Sequence, residues 1–182
     1  MKELSLHILD IARNSIEAGS DMISIIIVED LELDLLTIEI EDNGKGIDKK
    51  LIDKVTDPFF TTRKTRSVGL GLALAKESAI HCDGNFKIES EQGKGTKVIF
   101  SYRYSHIDRA PLGDMGQTIM TLISLDGDIE ILYSHMYNNA QFNFDTRNVK
   151  KVLNGVNINE PRVLIWIKDY INESILMLHS QV

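Results

Sequence analysis

Glycine recurs between Asp42 and Thr96 at intervals that neither a helix interior nor a strand interior tolerates well. The stretch reads Asp42-Asn43-Gly44-Lys45-Gly46, then Asp57-Pro58-Phe59-Phe60-Thr61-Thr62, then Gly69-Leu70-Gly71-Leu72, then Gly93-Lys94-Gly95-Thr96. Each cluster falls where a periodic segment stops or starts. The chain must therefore be built of short elements that meet at tight turns, and glycine at such junctions lets backbone come close to a ligand. The acid Asp42 at the first junction, and Arg63, Lys64 and Arg66 before the second glycine pair, suit a ligand that carries both an amine donor and phosphates.

Around these turns the elements follow from apolar spacing. Residues 3–18 form a helix whose buried face is Leu4, Ile8, Ile11, Ala12 and Ile16, with Glu3, His7, Asp10, Asn14 and Glu17 as a polar stripe and Gly19 as its cap. Taken alone, that stripe is a solvent face. An Asn amide oxygen, however, is also a natural hard ligand for a phosphate-bound Mg²⁺. Residues 22–29 and 35–41 are strands, the second turning Leu36, Ile38 and Ile40 inward. Asp42 lies at the mouth of that strand, where its carboxylate accepts hydrogen bonds only. It would pair with the N6 amine of adenine and repel the O6 carbonyl of guanine. As an isolated fragment, Asp42-Asn43-Gly44 also reads as a plain turn. Asp48 caps a short helix over 49–55, and residues 61–68 hold hydroxyls and basic groups without apolar period, as expected of a mobile loop over phosphates. The helix opened by Gly69-Leu70-Gly71-Leu72 offers free N–H groups and a favourable dipole to those phosphates. Residues 86–91 and 97–104 make a hairpin, and the pieces together predict a two-layer α/β sandwich.

The remainder, residues 105–182, is expected to be a small α+β extension. It has a linker over 106–113, a helix capped by Asp114, a hairpin turned at Asn138-Asn139, a short helix over 146–153, and a last helix capped by Asn159 with Pro161 in its first turn. The last helix has a broad apolar face, for which core packing is the default and a homodimer or partner surface the second reading. His106, His135 and His179 are scattered along the chain and suggest no metal site.

Composition removes several functional classes. A net charge of −7 argues against general binding to nucleic acid, which relies on clustered Lys and Arg. No apolar run approaches a membrane span, and there is no signal-peptide core. A single cysteine, Cys82, excludes an internal disulfide and points to the cytoplasm.

The order of a helix with Asn14, then DNGKGI, DPFFTT, GLGLALA and EQGKGT, resembles the N, G1, F, G2 and G3 boxes of the GHKL superfamily. That superfamily includes histidine kinases, anti-sigma-factor serine kinases, heat-shock chaperones, type II topoisomerases and mismatch-repair ATPases. The likeness spans about residues 3–104, so a boundary is expected near 104. It implies the Bergerat-type ATP-binding fold, with Asn14 holding Mg²⁺, Asp42 reading adenine, and Gly44, Gly46 and Ile47 turning around the base. It implies further that Phe60, Thr61, Thr62 and Lys64 bind the nucleotide at the lid, that Gly69, Leu70, Gly71 and Leu72 hold the phosphates, and that Thr96 reaches the adenine edge through a bound water. Ser67-Val68 and Glu17 depart from the residues common at those places in histidine kinases. Asp10, four residues before Asn14, stands where the ATPase branch has a general-base Glu.

These observations imply an Mg·ATP-binding module that transfers the γ-phosphoryl group to an unidentified protein in trans. The alternative is a nucleotide switch or slow ATPase acting on a partner through residues 105–182. No phosphoacceptor helix is expected before the first helix. Replacing Asp42 by Ala is expected to remove adenine binding and leave the fold intact, as for any turn residue.

Overall fold

A computed structural model describes residues 2–52, 54–56 and 70–180. Six strands form one sheet in the order β3-β4-β2-β1-β5-β6. They are β1 Met22–Asp30, β2 Leu35–Asp42, β3 Phe86–Glu91, β4 Gly95–Arg103, β5 Glu130–Tyr137 and β6 Ala140–Asp145. Helices α1 Leu4–Glu17, α2 Leu70–His81, α3 Met115–Leu125 and α5 Pro161–His179 pack side by side on the sheet, and α4 Thr146–Leu153 follows β6. This is the expected two-layer α/β arrangement.

Alternation decides which side of the sheet is covered. Ile23, Ile25 and Ile27 of β1, Leu36, Ile38 and Ile40 of β2, and Val98, Phe100 and Tyr102 of β4 are buried in one core with Leu4, Ile8, Ile11 and Ala12 of α1. Burying the three large side chains of α1 alone contributes on the order of 5–9 kcal/mol before conformational entropy is subtracted. The helix ends in a Schellman motif. Gly19, at φ 74°, gives its N–H to Ile16 O (2.9 Å), and Ser20 N–H reaches Ser15 O (3.1 Å). At the other end of α1, the free N–H groups of Leu4 and Ser5 are taken by the carbonyls of Pro111 and Leu112. The expected linker is thus also a strap over the first turn of α1.

After residue 105 the chain continues the same sheet through β5 and β6. β5 runs parallel to β1 from Met22↔Glu130 to Glu29↔Tyr137, and β6 pairs antiparallel with β5. Ile119, Leu122, Ile131, Tyr133, Ile167 and Ile171 join the same core as β1 and β2. Asp114 caps α3 by accepting from Gln117 N–H at 2.7 Å, as its position before the apolar run implies.

Four local expectations are corrected. The helix expected over 49–55 is, among the described residues, a 3-10 turn, Lys49–Leu51, capped by Asp48, and none of those three residues is buried to hold a longer helix in place. α5 has Glu160, not Asn159, at its N-cap, with Pro161 in its first turn. His7 leaves the solvent stripe of α1 and is buried, 2% exposed, where α2 and α3 flank that helix. His135 and His179 are not scattered, since β1–β5 pairing and the end of α5 bring both onto Glu29.

Candidate functional site

A cavity of about 560 Å³ opens between α1, the turn after β2, the start of β4 and the 3-10 turn. That volume lies in the range of small-molecule sites. Ile11, Ile40, Leu72 and Val98 give it apolar walls, while Asn14, Ser15, Asp42 and Thr96 supply polar groups.

Asp42 ends β2 directly opposite Thr96 of β4. Its Oδ2 accepts from the Ser15 hydroxyl at 2.6 Å, and its Oδ1 accepts from Gly44 N–H at 2.9 Å. Both donors hold the carboxylate in one orientation, and each oxygen keeps a further lone pair for a donor in the cavity. Ser15 is 3% exposed. It escaped the sequence reading because a serine on a buried helix face gives no periodic signal. Its one trace is position, immediately after Asn14 and among the apolar residues of α1.

The turn after Asp42 is fastened on every side. Asn43 Oδ1 accepts from the Ser20 hydroxyl at 2.8 Å and from the N–H groups of Asp21 and Met22 at 3.1 Å each. Lys45 N–H reaches Ala18 O, the cap residue of α1, and Lys45 O accepts from Gly93 N–H at 2.7 Å. Ile47 N–H bonds to Ser90 Oγ, which donates to Gly95 O and lies 2.9 Å from Thr96 Oγ1. The G1-like and G3-like turns therefore brace one another.

This changes the reason for the glycines. A Cβ on Gly46, at φ 67°, would overlap the Glu91 carbonyl, and a Cβ on Gly95, at φ 117°, would overlap the Asp42 carbonyl. A Cβ on Gly44 would press on the Ala18 side chain at 3.0 Å. At these positions close approach between chain segments by itself requires glycine.

Of the residues singled out from sequence, Asn14, Asp42, Gly46, Ile47, Leu72 and Thr96 line the cavity, and Gly44 adjoins it beneath Ala18. Asp10 is not among the lining residues. It lies against Gly71, whose added Cβ would meet Asp10 Cβ at 3.0 Å. Helix α2 begins at Leu70, so Asp10 stands at its first turn, where the helix dipole favours an acidic side chain. Phe60, Thr61, Thr62, Lys64 and Gly69 lie outside the described residues. Ile11, Ala18, Lys45, Asp48 and Gln92 also line the cavity, and motif reading gave none of them a role.

Comparison with known proteins agrees with this geometry. Residues 2–106 match the family described as histidine kinase-, DNA gyrase B-, and HSP90-like ATPase. The chain is 41% identical over 93 residues to the sensor histidine kinase WalK of Bacillus subtilis, covering 48% of this chain and 15% of that protein. It is 33% identical over 95 residues to sporulation kinase E of the same organism, 52% of this chain and 13% of the kinase. With the sensor kinase CckA of Brucella abortus it shares 32% identity over 106 residues, 56% of this chain and 11% of that one. The chain thus spans only a small fraction of the length of these relatives. A crystal structure of the N-terminal domain of a DNA repair protein superposes with a TM-score of 0.52 at 16% identity, covering 80% of this chain and 52% of the other. That likeness speaks to the fold alone.

Proposed function

Because the chain belongs to the histidine kinase-, DNA gyrase B-, and HSP90-like ATPase family, we propose that its cavity holds Mg·ATP and that the γ-phosphoryl group passes to a second protein. The observation that carries this reading is Asp42, an acceptor-only group fixed by Ser15 and Gly44 at the wall of a small-molecule cavity. Such a carboxylate selects an exocyclic amine over a carbonyl, and so adenine over guanine. Thr96, opposite Asp42, and the Gly44-Lys45-Gly46-Ile47 turn complete the base end in this assignment.

The residues fit a magnesium-bound nucleotide. Asn14 offers an amide oxygen at the cavity one turn along α1 from Asp10 and is the residue that would hold the metal. Mg²⁺ there would neutralise charge across the phosphates. The start of α2 at Leu70, Gly71 and Leu72 is a helix N-terminus, whose N–H groups and dipole suit the same charge. The roles of Phe60, Thr61, Thr62, Lys64 and Gly69 rest on the motif resemblance. In the transfer itself the bond from the γ-phosphorus to the bridging oxygen breaks, a bond to the acceptor forms, and ADP leaves. The protein contributes positioning and charge compensation.

One observation favours the second reading, a switch or slow ATPase. The parallel pairing of β5 with β1 ties residues 105–182 to the sheet that floors the cavity, a path by which nucleotide occupancy could reach a partner. Asp10 is the candidate general base for hydrolysis. As an Asp it is one methylene shorter than Glu, and its place against Gly71 gives it a structural role as well.

Incubation with γ-labelled ATP, with and without lysate of the source organism, separates these readings. Label on another protein, lost in Asn14→Ala, supports transfer. Rapid phosphate release without any partner, lost in Asp10→Asn, replaces it with the ATPase reading. Equal affinity for ATP and GTP overturns the assignment of the base site altogether.

A further inference from the structure

Glu29, His135 and His179 converge at the end of the sheet remote from the cavity. Asp42 pairs with Ile23 at the start of β1, and Glu29 lies six residues further along that strand, about 20 Å away at roughly 3.3 Å per residue. His135 comes from β5 and His179 is the last residue of α5. Both imidazole Nε2 atoms lie 2.7 Å from the same carboxylate oxygen, Glu29 Oε1. Glu29 is 5% exposed and His135 fully buried. Burial by itself would raise the Glu29 carboxyl, but the bonds from His135 and then His179 outweigh it and hold the group below its ordinary value.

We propose that Glu29 Oε1, His135 Nε2 and His179 Nε2 form a binding site for a zinc-class divalent metal ion. Two imidazoles and one carboxylate are a donor set suited to Zn²⁺, whereas Mg²⁺ and Ca²⁺ prefer oxygen alone. Both nitrogens approach the same carboxylate oxygen and the three ligand atoms all lie within 4.8 Å of one another, close enough to supply three corners of a tetrahedron. Tetrahedral zinc with bonds of about 2.0–2.1 Å separates its ligand atoms by about 3.3 Å. Each nitrogen must therefore move back from the oxygen by about 0.6 Å.

The freedom to do so lies with His179, which ends its helix and keeps 37% of its side chain exposed. The same exposure gives water access to a fourth position. His135 is fixed in the opposite way. Its Nδ1 lies 2.8 Å from the Tyr133 hydroxyl, in the place where metal-binding histidines find a partner for their second nitrogen. When Nε2 binds the ion, it gives up its own hydrogen, and an imidazole proton on Nδ1 donates to the Tyr133 hydroxyl oxygen. Tyr133 is 1% exposed, so its hydroxyl is shielded from competing water. The Tyr137 ring, 4.5 Å from that of His179, closes the apolar side of the group.

The site is independent of the nucleotide reading. A tag-free full chain, stripped with chelator and reloaded with Zn²⁺ or Co²⁺, is passed through a desalting column and its metal content measured. About one ion per chain is expected, with the visible absorption of four-coordinate Co²⁺ and a Zn²⁺-dependent rise in the unfolding midpoint that Mg²⁺ at the same concentration does not produce. Glu29→Gln and the half-exposed His179→Gln should each weaken Zn²⁺ binding at least tenfold, and Tyr133→Phe about tenfold. Circular dichroism verifies that each variant is folded, and His179→Gln should bind ATP as the parent chain does. A parent chain that retains no metal, or folded Glu29→Gln and His179→Gln chains that retain it as well as the parent, overturns the proposal.

Discussion

Replacing Asp42 tests the base-reading assignment and the bracing of the cavity together, because two substitutions separate the two roles. Asp42→Ala leaves the Ser15 hydroxyl, 3% exposed, and the Gly44 N–H without the acceptor they now share. An unsatisfied buried donor costs about 1–3 kcal/mol and the more accessible Gly44 N–H about 1 kcal/mol, so the loss is about 2–4 kcal/mol. For a chain of this length that lowers the unfolding midpoint by about 5–15 °C, while a domain of ordinary stability remains folded at 25 °C. Asp42→Asn behaves differently. Its Oδ1 can still accept from Gly44 N–H, and its Nδ2 can donate to Ser15 Oγ, so only about 1 kcal/mol is lost. The charge is gone, however, and an N–H group replaces an acceptor facing the cavity. Losing a charge-assisted bond of about 1.5–3 kcal/mol should weaken ATP binding by at least tenfold. Thermal unfolding and calorimetric titration with ATP and GTP measure both effects. An Asp42→Asn chain that binds ATP like the parent would refute adenine reading by Asp42. An Asp42→Ala chain with an unchanged midpoint would refute the structural role assigned to the Ser15 and Gly44 bonds.

His7 makes stability depend on acid. Burial lowers its pKa from 6.5 to about 4, so the unfolded chain takes up a proton that the folded chain refuses. Stability therefore falls as pH drops from about 6.5 towards 4, by about 3 kcal/mol in all, and is regained above 6.5. Denaturant unfolding at several pH values should show that loss shrink in His7→Gln, and an unchanged slope would discount the buried imidazole. Gly95→Ala places a Cβ into the Asp42 carbonyl at φ 117°, which should cost about 3 kcal/mol or more. A Gly95→Ala chain unfolding within about 2 °C of the parent would show that the G3-like turn can relax away from β2.

The elements around the cavity were legible because their signals are local. Alternation marked β2 through Leu36, Ile38 and Ile40, positive-φ glycine marked the turn before Thr96, and Asp114 marked the start of α3. Five boxes in order then identified the ligand class and named Asn14, Asp42 and Thr96, which the fold gathers at one cavity. Motifs could not show why Gly46 and Gly95 are glycine, since the overlap arises between segments about fifty residues apart. Nor could they show Ser15 beneath Asp42, or the burial of His7, because both depend on which face of α1 its neighbours cover. The largest departure is at Glu29. His135 and His179 lie 106 and 150 residues from it in sequence and carry no common spacing. A parallel pairing of β5 with β1 and the length of α5 place all three side chains together. Strand order and helix reach are set by how the whole chain buries its apolar faces, and no local pattern encodes that choice.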